Sequence, residues 1–294
     1  MKKTNVIHRH LKGLKRGVDR PGYLAGRRAS LTNSIRESLL SPTLDNLLDA
    51  AIDLEGLGTV EGTVGAGHVW QGEADGWQLL QTSFTSFNWN VRIYTGLFHR
   101  GRLQRGFDFS GPQNMAARCL SHAIATKEDT FADWCGRMML NNFTTGEGLY
   151  DRWFRPFEPF MVYLFARWKK LPIPHSALPC PPLGVYQELL DAWNSEQDFA
   201  AALVKACDYH TEHSIEGRIA HAEFVRVPHN VFPAEILAVK RLRDAEDIPW
   251  PAVEHALLDT PLAQPPATLP RVQNDLLDRV TNVVREVMPE GAPS

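Results

Sequence analysis

Five residues in the last third of the chain have side chains of the kind that bind divalent metal ions. Cys207, Asp208, His210 and His213 lie close together, and His221 follows them. Thiolates, imidazoles and carboxylates are the usual ligands of zinc, and Cys207 and His210 at i, i+3 share one face of a helix. These residues define one hypothesis, a metal-dependent hydrolase.

The apolar pattern of the same segment favours core packing instead. Phe199, Leu203 and Ala206 recur on the stripe that also carries Cys207 and His210, and free cysteine is among the most buried residue types. The chain contains neither an H-E-x-x-H metal motif nor a G-x-S-x-G nucleophile motif. We therefore expect no catalytic residues, no metal and no cofactor.

A glycine-rich segment offers a second chemical possibility. Seven glycines lie between Gly56 and Gly76, and the backbone amides of Gly65-Ala66-Gly67-His68 could approach a phosphate group. A P-loop would also need a preceding strand and a lysine, which this segment lacks. Because glycine disfavours helices, we expect a structural loop here.

Trp153 and Arg155 stand in a segment, 150–160, that mixes aromatic and charged residues. Buried charges must be paired, so we expect Arg155 to pair with Glu158 and Arg152 with Asp151 or another acid. Tryptophan and arginine also dominate the binding energy of protein interfaces. Trp153 and Arg155 are therefore candidates for partner contact as well as for internal packing.

Charge is distributed unevenly along the chain. Residues 1–36 hold ten of the 31 basic residues but only one of the 34 acidic residues, Asp19. The formal charge of the rest of the chain is therefore near −12. Glycines interrupt the basic segment, so we expect a mobile arm at 1–29 and one helical domain at 30–290. The arm could hold nucleic acid by charge alone, which makes a helical nucleic-acid-binding adaptor another alternative.

The acidic side chains beyond the arm are candidates for contact with a cationic partner. Asp45, Asp49 and Asp53 recur every four residues, on one stripe of a helix that we expect to be capped by Ser41. A surface of one sign speeds association with a partner of the other. The acidic candidates are Asp45, Asp49, Asp53, Glu55, Glu61, Glu73 and Asp75.

Apolar periodicity predicts an all-α fold of antiparallel helical hairpins. From Trp77 to Phe98 the apolar residues follow spacings of three and four, which predicts a long central helix rich in aromatic residues. Further helices are expected at 112–126, 129–141, 159–169, 184–194, 196–213 and 232–245 and at the C-terminus, with proline-rich straps at 171–183 and 260–270.

The cysteines and the N-terminus bear on the cellular location. The four cysteines form no C-x-x-C pair, which is typical of reduced thiols in a cytosol. The N-terminal positive charges precede no apolar run of the kind that a secretory signal needs, and no stretch is apolar enough to span a bilayer. We expect a cytoplasmic protein that does not contact membranes.

Four segments of the chain resemble segments of a known family. They are 152–160, Leu183-Gly184-Val185-Tyr186 with Leu190-Asp191-Ala192-Trp193, Cys207-Asp208-Tyr209-His210, and 232–237. By these segments residues 70–290 resemble mostly helical proteobacterial proteins of the immunity type, which accompany toxins of contact-dependent or type VI secretion systems. The resemblance implies a cytoplasmic protein without catalytic residues that binds one protein toxin, at a basic active-site face, and occludes or distorts the toxin's active site.

Overall fold

A computed structural model describes residues 4–103, 110–216 and 222–289, and in these ranges it contains α-helices, one short 3₁₀ helix and no β-strand. The all-α prediction is therefore confirmed. The helices are α1 (Thr4–Val18), α2 (Pro21–Ser38), α3 (Leu44–Gln71), α4 (Gly76–His99), α5 (Ser110–Thr126), α6 (Asp129–Thr145), α7 (Phe157–Trp168), α8 (Val185–Asp191), α9 (Glu196–Glu212), α10 (Ala234–Ala245) and α11 (Asp275–Val287).

The chain divides into two compact units. Unit 1 comprises Met1–His10 with Asp108–Pro265, and unit 2 comprises Leu11–Phe107 with Pro266–Ser294. The boundary expected between residues 29 and 30 falls inside α2 and coincides with no boundary of either unit. No helix of the described ranges is both long and apolar enough to cross a membrane.

Most of the basic N-terminal segment is helical, in α1 and α2. In α1 the side chains of Val6, Ile7, Leu11 and Leu14 are all buried. In α2, Pro21 occupies the first turn, where its missing N–H is not needed. Glycines disfavour a helix in this segment, but burial of apolar side chains outweighs their cost of about 0.5–1 kcal/mol each.

The prediction of a loop between Gly56 and Gly76 is wrong, since α3 continues to Gln71. A Cβ atom added at Gly58 would lie 2.7 Å from the ring of Phe87, and one added at Gly65 would lie 2.7 Å from the backbone nitrogen of Leu80. The glycines therefore let α4 approach α3 more closely than a larger residue would allow. Gly65-Ala66-Gly67-His68 is part of this helix and forms no phosphate-binding loop.

Two side chains of α4 join it to α3 by hydrogen bonds. Ser83 Oγ donates to the carbonyl of Gly58 at 2.6 Å, and Asn90 Nδ2 donates to the carbonyl of Ala51 at 2.8 Å. Since residue numbers rise on α4 as they fall on α3, the two helices run antiparallel. The helix predicted from Trp77 to Phe98 is confirmed as α4, whereas the cap of α3 is Thr43, whose Oγ1 accepts from the Asn46 amide at 3.1 Å, and not Ser41.

In unit 1 the candidate residues lie just before α7 and on or directly after α9. The aromatic side of α7 packs on α8, where the ring of Phe160 stacks on Tyr186 at 4.2 Å. The cap predicted for α9 is confirmed, because Ser195 Oγ accepts from the Asp198 amide at 3.3 Å. The proline-rich residues 171–183 contain no helix.

The close contact of α3 with α4 predicts opposite effects of two glycine substitutions. Gly65→Ala should lower the free energy of unfolding by about 1–3 kcal/mol, because the new methyl group would meet the backbone of α4. Gly13→Ala, on an exposed part of α1 with no atom within 4 Å, should raise it by about 0.5–1 kcal/mol. Urea unfolding followed by far-ultraviolet circular dichroism measures both, and equal midpoints for the two variants would contradict this account of the glycines.

Candidate functional site

The aspartate stripe of α3 lies on the surface of unit 2, but two of its three carboxylates have internal partners. Asp45 pairs with Arg102, and Asp53 Oδ2 accepts from Ser34 Oγ at 2.5 Å. Asp49 is exposed and makes no hydrogen bond or ion pair with any residue that the structure describes. Asp49 is therefore the member of the stripe that is most available to a partner.

A groove of about 250 Å³ opens between α2 and α3 beside Asp49. It is lined by Ser34, Glu37, Ser38, Asp49, Ile52 and Asp53. We call these residues the acidic groove. The Ile52 side chain is 53% exposed, so the groove combines an apolar contact with three carboxylates. Glu37 is not identifiable from the sequence alone, because only the packing of α2 on α3 brings it near Asp49.

Glu61 is not available at the surface. Its side chain is 6% exposed, and its Oε2 accepts from Arg28 Nη2 at 2.7 Å. Burial raises the pKa of Glu61, and the nearby Arg28 guanidinium partly opposes that change. The expectation that Glu61 faces a partner is therefore not supported, whereas Glu55 is half-buried on the same helix.

Glu73 and Asp75 lie at the turn between α3 and α4 and share one imidazole. His68 Nδ1 is 2.7 Å from Asp75 Oδ1 and 3.4 Å from Glu73 Oε2. Within the described ranges, this is the one group of three or more potential metal ligands whose donor atoms converge. Both carboxylates are exposed, so the arrangement is that of a hydrogen-bonded surface cluster.

Trp153 and Arg155 of unit 1 serve internal packing. Arg155 Nη1 donates to Glu158 Oε1 at 2.7 Å, and the amides of Phe154 and Arg155 donate to the other carboxylate oxygen at 3.1 and 3.3 Å. The predicted ion pair of Arg155 with Glu158 is confirmed. So is the pair of Arg152 with Asp151, at 3.6 Å. Trp153 is 4% exposed, so it offers little surface to another molecule.

The structure separates the residues proposed as metal ligands. Cys207 is fully buried, and His210 Nδ1 lies 2.7 Å from Glu235 Oε1. Asp208 instead faces His255, with 3.3 Å between Oδ1 and Nε2.

The ring of His213 stacks on Tyr209, with 3.8 Å between centroids, and that of His210 stacks on Phe224 at 4.2 Å. His221 lies outside the described residues. Among the four that are described, no three bring ligand atoms together, which favours the packing interpretation over a metal centre.

Glu223 is a second buried acid of unit 1. Its Oε1 accepts from the Phe157 amide at 3.3 Å, at the start of α7. Burial and the neighbouring Glu158 carboxylate raise the pKa of Glu223 to about 8, although the Phe157 amide and the Tyr209 hydroxyl oppose that increase. Glu223 is therefore largely protonated at neutral pH.

Burial favours the neutral form of three further histidines of unit 1, of which His10 is half-buried and His122 and His229 are fully buried. Burial lowers the pKa of His10 to about 4, and the ring is held by Ser214 Oγ at 2.8 Å and by Asn230 Nδ2 at 3.2 Å. His122 and His229 stack at 4.6 Å, and burial keeps the pKa of each well below its usual value. Neither Glu223 nor these histidines stand out in the sequence, because they are far apart along the chain and belong to no motif.

The raised pKa of Glu223 predicts a pH dependence of stability. A group that holds its proton more tightly in the folded chain stabilises the fold below its unfolded pKa, and this contribution is lost as pH rises through the folded pKa. The contribution of Glu223 to the unfolding free energy should thus fall between pH 4.5 and 8, by at most about 1.4 kcal/mol for each tenfold fall in proton concentration.

Glu223→Gln retains the shape but cannot ionise, so its unfolding free energy should rise relative to that of wild type as pH rises over the same range. Urea unfolding at pH 5, 6.5 and 8 measures the difference, with Glu147→Gln, at an exposed position of unit 1, as the control. Parallel pH profiles for wild type and Glu223→Gln would contradict the assignment of a buried, protonated Glu223.

Comparisons with protein-family models, with curated proteins and with solved structures give no match to this chain.

Proposed function

We propose that this chain is a cytoplasmic immunity protein that binds one cognate bacterial toxin and neutralises it by occluding the toxin's active site. The observation that carries the proposal is the acidic groove between α2 and α3, where Glu37 and Asp49 flank the exposed Ile52. Neither carboxylate forms an ion pair with a described residue, so both can accept hydrogen bonds from a cationic partner.

The composition of the groove suits a contact with a lysine or arginine side chain. Carboxylates bind these cations through charge-assisted hydrogen bonds, and charges at the edge of an interface raise the rate of association. The exposed Ile52 side chain adds apolar area. A toxin that acts on a polyanion needs a cationic active site, and such a site is complementary to this groove.

Binding without catalysis is the role that the internal contacts of unit 1 favour. The charged residues with the most active-site-like surroundings, Glu158 and His210, are bonded to Arg155 and Glu235. Such pairs orient helices and satisfy buried polar groups.

Growth protection tests the proposal. The C-terminal domain of a secreted protein encoded beside this chain would be expressed with and without the full chain, and cell growth would be followed. Wild type should restore growth, and it should bind the purified domain with an affinity that falls as salt rises. Glu37→Lys with Asp49→Lys should weaken binding at least tenfold, since each replaces an attractive contact with a repulsive one.

A matched control separates the groove from net charge. Glu147→Lys with Glu286→Lys makes the same change of charge at two exposed carboxylates, one in each unit, and should leave protection unchanged. Failure of the wild-type chain to protect, or equal protection by the groove variant, would contradict the proposal.

A further inference from the structure

A strongly cationic surface covers the end of α1 and the start of α2 in unit 2. Its members are all exposed, and none forms an ion pair or hydrogen bond through its side chain with a residue in the described ranges. They are Lys12, Lys15, Arg16, Arg20 and Arg27. We call them the cationic surface. Asp19 is the one acidic residue in this stretch of sequence.

The helical spacing aligns these cations. Lys12 lies three and four residues before Lys15 and Arg16, so the three share one face of α1. On α2, Arg27 follows Tyr23 by one turn, and Tyr23 follows Arg20 by three residues. The turn between the helices is short and hydrogen-bonded, with the Arg20 amide donating to the Gly17 carbonyl at 3.2 Å.

The surface rests on a well-packed support. Leu11 and Leu14, on the other side of α1, are at most 5% exposed. Gly17 and Gly67 allow close approach of α1 and α3, because a Cβ at Gly17 would meet Thr63 and one at Gly67 would meet Val18. The cations therefore project from an ordered helix, which lowers the entropy lost when a ligand binds.

Several exposed cations elsewhere are neutralised by a neighbour. Arg137 pairs with Asp133, Lys205 with Glu188, and Lys240 with Asp244. The cationic surface has no such compensation, although Glu and Lys four residues apart would stabilise α1. A cluster of like charges without partners attracts polyanions. Repulsion within the cluster also destabilises the protein when no ligand is bound.

The chemistry of the surface distinguishes between polyanionic ligands. A peripheral membrane helix needs an exposed apolar face, but the apolar residues of α1 are buried in the chain itself. A protein interface needs several aromatic or apolar anchors, and Tyr23, 75% exposed, is the large apolar side chain exposed in this stretch. Nucleic acid needs only cations for its phosphates, and one ring can stack on a base.

We propose that the cationic surface binds the phosphate backbone of a single-stranded polynucleotide without sequence preference. This function is separate from the proposed immunity role, because the acidic groove involves different residues of α2 and α3.

Fluorescence anisotropy of the full chain with a labelled mixed-sequence 20-nucleotide strand tests the proposal. Binding should weaken between 50 and 200 mM salt with a logarithmic slope of about −3.5, which five phosphate contacts predict for a single strand. The variant with Lys12, Lys15, Arg16 and Arg27 all changed to glutamine should bind at least tenfold more weakly at 50 mM salt and with a shallower slope. Its circular dichroism should be unchanged, because all four positions are exposed.

The control variant changes Lys205, Arg271, Arg279 and Arg285 to glutamine, which removes the same charge from exposed positions elsewhere. It should bind the strand within about twofold of wild type. Equal losses in the two variants, or an unchanged affinity in the first, would overturn the proposal. Equally tight binding to vesicles with 30% phosphatidylserine or to polyglutamate would also overturn it, since either would assign the surface to another class of ligand.

Discussion

Pairing of charges within each unit decides which charged side chains remain to meet another molecule. Arg28 neutralises Glu61, Arg102 pairs with Asp45, and Arg155 pairs with Glu158. A buried charge without such a partner would cost several kcal/mol, so the pairs that involve burial are requirements of the fold. Among the charges of unit 2 without an ion pair to a described residue are Glu37 and Asp49 of the acidic groove and the members of the cationic surface, and the functional proposals rest on these residues.

In unit 1, pairing and hydrogen bonding hold polar groups inside the protein. Glu158 and Glu223 accept hydrogen bonds from amides at the start of α7, and His210 is fixed by Glu235. Each bond joins segments that are separate in the chain or fixes the start of a helix, so the network favours one arrangement of the helices over others. Their surroundings resemble those of an active site because both contain desolvated, hydrogen-bonded groups.

α2 contributes to both charged surfaces of unit 2. Arg27 belongs to the cationic surface and Glu37 to the acidic groove, and ten residues of helix separate them by about 15 Å. At that distance in physiological salt, exposed charges affect one another only weakly, since the Debye length is about 8 Å. The charges of one surface therefore have little electrostatic effect on a ligand of the other.

The sequence alone determined the all-α class, the span of α4, the cap of α9 and the ion pair of Arg155 with Glu158, because each depends on residues close together in the chain. Tertiary structure decided the rest. The glycines of α3 indicate a loop by local propensity, yet contact with α4 makes them helical. The basic segment is likewise helical because its few apolar residues are buried. Some acidic residues have no partner among the described residues, as with Asp49, and others are buried and paired, as with Glu61. The difference depends on contacts with other helices, and periodicity carries no information about those contacts.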